Sequence, residues 1–165
     1  MTAKIVSGTE VAKEIREELK TEIAELKEKH NIVPGLVTIL VGEDPASQSY
    51  VAAKNKTAHA IGIHSEQITL DADTSEEELL ALVRKYNEDE KINGILVQLP
   101  LPKHIDEGKV LNEINPDKDV DGFHPFNVGR LALRHPYLQP CTPKGIMSLI
   151  NSSQKNIAGL NATIV

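Results

Sequence analysis

A chain of 165 residues with 40% apolar content suits one domain, with at most a stub of a second; lacking Trp and with few Phe and Tyr, its core must be aliphatic. A net charge of −6 with mixed signs argues against a nucleic-acid surface, which needs a basic patch. A single cysteine, Cys141, excludes an internal disulfide; with no apolar leader and no membrane-length run, the sequence reads as a soluble cytoplasmic protein.

Ser7 and Glu10 stand at capping-box spacing, and Val11, Ile15, Leu19, Ile23 and Leu26 then fall on one helical stripe. Pro34-Gly35 breaks that pattern. "LVTILVG", Leu36 to Gly42, is a continuous apolar run, the mark of a strand buried on both faces. Asp44-Pro45 opens a second helix, with Pro in the first turn where its missing N–H costs nothing. Gly62 ends it, and "HSEQITL" reads as a more polar strand. Ser75 and Glu78 repeat the capping-box spacing ahead of Leu79, Leu82, Val83 and Tyr86. "GILVQLPLP", Gly94 to Pro102, is a second buried strand that stops at a proline. From Pro116 the chain is loop-rich with short helices and ends in "GLNATIV".

Such alternation implies an α/β fold: a mostly parallel sheet with helices on both faces, in three layers. Ligands in such sheets sit beyond the carboxyl ends of the strands. Gln98 stands at one such end, and the Tyr50 helix starts just past another, at Gly42. A side-chain amide after "GILV" either caps loose backbone groups or faces a ligand. Tyr50 and Lys54 lie about 40° apart on one helical face, together with Ser47, Thr57, Ala58 and Ile61. That lysine either snorkels, its stem packed and its ammonium in water, or is held in a pocket to move protons. Lys56 lies about 160° around the helix from Lys54 and is peripheral.

"DKDVDG", Asp117 to Gly122, opens like a calcium-binding EF-hand loop, but the position that needs a bidentate glutamate holds Val128, and calcium is rejected. Asp121 then either caps a turn, the commoner use of such an aspartate, or aims its carboxylate into the rim pocket at a planar donor–donor edge. Cys141 has no paired histidine and reads as a small buried thiol. The histidines show no metal-ligand spacing, so no metal is expected. No G-x-G occurs, so no dinucleotide fingerprint is present.

"SYVAAKNK", "GILVQLPLP", "PDKDVDGF" and "PCTPKGI", in this order, resemble the bifunctional methylenetetrahydrofolate dehydrogenase/methenyltetrahydrofolate cyclohydrolase family over nearly the whole chain. The resemblance implies a folate-binding catalytic domain over residues 1–140. It further implies that 141–165 are a linker helix and the first strand of an NADP-binding Rossmann domain. Tyr50 would stack on the folate and Lys54 would be the central acid/base group. Gln98 would orient Lys54, Asp121 would grip the pterin, and backbone around Val97 and Leu99 would line the pocket. The substrates would be tetrahydrofolate one-carbon derivatives and the cofactor NADP, with no cofactor-binding residue inside this chain. The parent would be a homodimer joined mainly through its other domain, with no nucleic-acid or membrane partner. The chain stops at Val165, inside what resembles that first Rossmann strand, and so reads as a piece of a longer enzyme. A non-catalytic folate-binding module is the alternative.

Overall fold

The computed structural model describes residues 5–154 and 156–163. Helix starts follow from short polar side chains that accept otherwise unpaired backbone N–H groups. Ser7 accepts from Glu10 N at the start of α1 (Gly8–His30), and Asp44 accepts from Ser47 N at the start of α2 (Pro45–Ala60). Ser75 and Glu78 close a complete reciprocal capping box on α3 (Glu76–Glu88). At Ser7 only one arm of the expected box forms.

Three strands, β1 (Gly35–Val41), β2 (His64–Leu70) and β3 (Gly94–Val97), make one parallel sheet in the order β2-β1-β3. Leu36 pairs with Ser65 on one side and Gly94 on the other, so β1 is central, and apart from Thr38 it is apolar. β3 is shorter than its apolar run suggests. The ladder extends one bond further, from Gln98 N to Ile39 O at 2.8 Å, and Pro100 then offers no N–H to continue it.

Side chains alternate across the sheet. Val37, Ile39 and Val41 face Leu79, Leu80, Val83 and Tyr86 of α3 and Val110 of α4 (Glu107–Glu113). Thr38 and Leu40 point to the other face, where buried Val51 and Ala58 of α2 lie. Three layers result, as the sequence predicts. Helix α4, capped by Asp106, is an element that the sequence reading passes over.

The α1 stripe is only partly realised. Ile23 is buried, with its Cγ2 against the backbone of Gly62, while Ile15, Leu19 and Leu26 remain exposed. Two further helices follow, α5 (Pro125–Ala132) and α6 (Cys141–Ser153). Residues 160–163 belong to no strand; Ile164 and Val165, which complete the strand expected there, lie outside the described residues. Among the described residues no helix is long and apolar enough to cross a membrane.

Candidate functional site

Parallel pairing of β1 with β3 sets Gln98 beside the end of β1. The Lys54 ammonium, three turns into α2, donates to Gln98 Oε1 at 2.9 Å, joining residues 44 positions apart. Gln98 is itself fixed, its Nε2 donating to Leu99 O at 2.7 Å. An amide held at its nitrogen presents its oxygen in one direction, and that direction is Lys54. Of the two readings of Gln98, capping of a backbone carbonyl is the one seen here, and its oxygen goes to Lys54.

Lys54 itself is exposed, and Tyr50 is 66% exposed. A lysine held in a pocket, one of the two readings of the sequence, is not what these residues build. Tyr50, Ala53, Lys54, Thr57, Ala58, Ile61 and Ile63 instead line a shallow, mostly apolar groove of about 410 Å³. The reason is geometric: α2 covers the sheet with Val51 and Ala58, which turns the Tyr50–Lys54 edge outward.

The third component is the turn after α4. Ile95 N donates to Lys118 O at 2.8 Å, and Ile95 forms an isolated parallel bridge with Asp119, so the turn is pinned to β3. Gly94 makes this approach possible, because a Cβ there would lie 2.5 Å from Val120 Cγ1. The two aspartates of "DVDG" divide their tasks. Asp119 is 1% exposed and accepts from Phe123 N, His124 N and Asn127 Nδ2 at 3.2, 2.8 and 2.9 Å. It is the residue that caps the turn. Among the described residues no donor reaches Asp121, which is half-buried. Burial raises the Asp121 carboxyl above the usual range, the nearby Lys54 charge opposes this, and Asp119 adds to it.

Gly122 follows with φ +67, and its missing Cβ would lie 2.8 Å from both Gln139 C and Pro140 N. That contact packs the turn directly against the start of α6. Cys141, expected to be buried, is exposed on the first turn of α6, which the 119–122 turn covers on one side only. Its Sγ donates to Val120 O at 3.4 Å; desolvation first, then the Asp121 charge, pushes the thiol above its ordinary range.

The predicted site residues therefore separate into two groups. Lys54, Gln98 and Asp121 converge from α2, the end of β3 and the turn, with Tyr50 at the margin. Val97 pairs with Ile39 and packs into the core, and the Leu99 carbonyl is taken up by Gln98, so neither contributes an unengaged side chain to the groove. Sequence reasoning missed Asp119 and Asn127. The i, i+4, i+5 and i+8 spacing of Asp119 with Phe123, His124 and Asn127 was the signal that could have found them. Among the described residues, no three His, Cys, Asp or Glu side chains converge as a metal site.

Residues 6–121 match the family model described as tetrahydrofolate dehydrogenase/cyclohydrolase, catalytic domain. The whole chain is 59% identical to a bifunctional protein FolD of Syntrophobacter fumaroxidans, of which it covers 56%, and 54% identical to one of Dehalococcoides mccartyi, again covering 56%. It thus spans little more than half the length of these relatives. The fold is similar to the Campylobacter jejuni bifunctional enzyme FolD, methylenetetrahydrofolate dehydrogenase/cyclohydrolase, with a TM-score of 0.88 and 45% identity over 90% of this chain and 53% of that one. It is also similar to the Trypanosoma brucei dehydrogenase-cyclohydrolase complexed with NADP cofactor and inhibitor, with a TM-score of 0.89 and 41% identity over 93% of this chain and 53% of that one.

Proposed function

The chain belongs to the tetrahydrofolate dehydrogenase/cyclohydrolase family, and from that premise we propose that it is the folate-facing catalytic half of a bifunctional enzyme of one-carbon metabolism. The parent oxidises 5,10-methylenetetrahydrofolate with NADP to the methenyl cation, then hydrolyses the cation to 10-formyltetrahydrofolate, a one-carbon donor for purine biosynthesis, in the cytoplasm. The observation that carries this reading is the 2.9 Å bond from Lys54 Nζ to Gln98 Oε1 near an Asp121 carboxylate that no donor among the described residues occupies.

Asp121 is suited to accept from the amino and ring N–H groups of a pterin, since a carboxylate matches two parallel donors. Tyr50 offers a ring face at the mouth of the apolar groove. In the hydrolytic step water adds to the methenyl carbon and gives up one proton. The bond from that carbon to the pterin-ring nitrogen then opens as the new hydroxyl's proton passes to the nitrogen. On this reading Lys54, whose ammonium Gln98 holds at 2.9 Å, relays these protons.

When bound, NADP accepts the hydride. The described residues do not fit its phosphates. The sequence has no G-x-G, and the helix N-termini around the sheet carry acidic groups: Glu43 and Asp44 before α2, Glu76, Glu77 and Glu78 on α3, Asp106 and Glu107 at α4. We assign NADP binding, and the homodimer contact, to the part of the relatives' length that this chain does not span. On this reading 1–140 are the folate domain and 141–165 lead into the cofactor domain.

The test is hydrolysis of 5,10-methenyltetrahydrofolate by a full-length protein carrying these residues, with and without Lys54→Met. Loss of hydrolysis in a folded variant supports the assignment, and unchanged hydrolysis overturns it.

A further inference from the structure

A turn of nine residues, "DVDGFHPFN" (Asp119 to Asn127), holds two carboxylates two positions apart, and their surroundings are opposite. Three N–H donors of the turn, from Phe123, His124 and Asn127, all go to Asp119. Asn127 is fully buried, and its Nδ2 also donates to Pro116 O at 2.9 Å, tying both ends of the turn together. Gly122 N donates to Asp119 O at 3.2 Å, which closes the turn around Asp121. Asp121 is left without a protein donor among the described residues, near Lys54.

We propose that Asp119, with Asn127, is the positioning residue of the site: by taking the Phe123, His124 and Asn127 donors of the turn it keeps both oxygens of Asp121 open to a ligand. The physical basis is competition. Backbone N–H groups next to a half-buried carboxylate are satisfied by whichever carboxylate reaches them first. With Asp119 absent, the Asp121 carboxylate, two residues along the same turn, turns away from the pocket to take them. Asp119 also adds a fixed negative charge behind Asp121. The other groups around Asp121 are Lys54 from α2 and the Cys141 thiol from α6, with Lys144 close enough to influence that thiol.

This inference rests on Asp121 as the pterin-gripping carboxylate only for its functional consequence, and its first test needs no ligand. The 165-residue chain, labelled with ¹³C at aspartate carboxyls, is titrated by NMR as wild type, Asp119→Asn and Asp119→Ala. Asp119→Asn keeps an oxygen for His124 and Asn127 but removes the charge. Asp119→Ala removes both and leaves the donors for Asp121. The Asp121 midpoint moves to lower pH in both variants, further in Asp119→Ala. Asp119→Asn reads the charge alone, so a midpoint no lower in Asp119→Ala than in Asp119→Asn, in variants whose amide spectra remain native, overturns the inference. If Asp119→Ala does not fold, the second test, which uses Asp119→Asn, decides it. The second test is a double-mutant cycle on 5,10-methenyltetrahydrofolate binding. If Asp119 acts through Asp121, Asp119→Asn weakens binding in the wild-type background and adds no further loss to Asp121→Ala. Full additivity overturns the positioning role. A wild-type-like Asp121→Ala with a shifted titration instead sinks the pterin assignment and leaves the positioning of Asp121 standing.

Discussion

Lys54 and Gln98 meet at 2.9 Å, the ammonium donating and the amide oxygen accepting, although one lies in mid-helix and the other beyond the end of a strand. Because Gln98 Nε2 is committed to Leu99 O, the glutamine has no second orientation that keeps both bonds. Gln98→Leu should therefore lower methenyl hydrolysis in the full-length protein more than it raises the folate Kd. Its stability cost should be about 1 kcal/mol for the lost bond to Leu99 O. Equal kcat with a raised KM would instead make Gln98 a simple binding residue.

Lys54→Met should leave the fold intact. The side chain is exposed and its one hydrogen-bond partner among the described residues is Gln98, so the stability change should fall within roughly 0.5 kcal/mol. Urea unfolding of the 165-residue chain checks this directly. A large destabilisation would mean that the lysine is structural.

Asp121→Ala should weaken folate binding by about 2–3 kcal/mol, roughly 30- to 150-fold in Kd, through lost charge-assisted hydrogen bonds. Its own stability cost should be small, because Asp119 and not Asp121 caps the turn. The pH dependence has a definite sign. Burial raises the folded Asp121 value above 3.8, so the folded chain binds more protons than the unfolded chain in that window. Its contribution to stability is greatest below pH 3.8 and is lost as pH rises through the folded value. Asp121→Asn should remove that decline, read as a smaller loss of urea midpoint between acid and neutral pH.

Gly122→Ala should cost about 1–2 kcal/mol for the left-handed backbone alone, before the contact of its Cβ with the Pro140 backbone. Because the close approach of Gly122 to Pro140 holds the turn against α6, folate binding should fall along with the melting temperature. A variant with wild-type melting would show that the turn and α6 do not depend on this packing.

Tyr86 Oη donates to Glu66 Oε2 at 2.9 Å, and the pair should give stability both an acid and an alkaline limb. This bond, and then that of His64, holds Glu66 below 4.5, so its contribution is present above that pH and is lost as pH falls through the folded value. Burial, then Glu66, pushes Tyr86 up to about 12, so its contribution is present below pH 10 and is lost as pH rises towards 12. Tyr86→Phe should cost about 1 kcal/mol near neutrality, shrink the acid limb and abolish the alkaline one. Chemical denaturation across the pH range would show whether either limb survives.

Much of this protein was legible in its sequence. Caps at Ser7, Asp44 and Ser75, the apolar runs of β1 and β3, and the break at Pro34-Gly35 are local signals, and local signals depend on residues within a turn of one another. Gln98 stood out because an amide closing an apolar strand must find partners, and it finds Leu99 O and Lys54. The family resemblance rested on blocks that are contiguous in the chain. Tertiary structure alone decided how those blocks meet. Of two aspartates in "DVDG", packing against β3 buried Asp119 and gave it three donors of the turn, leaving Asp121 near Lys54. The outward edge of α2 and the exposed stripe of α1 were equally beyond the sequence. Periodicity states which residues share a face, but burial of that face depends on what the rest of the fold sets against it.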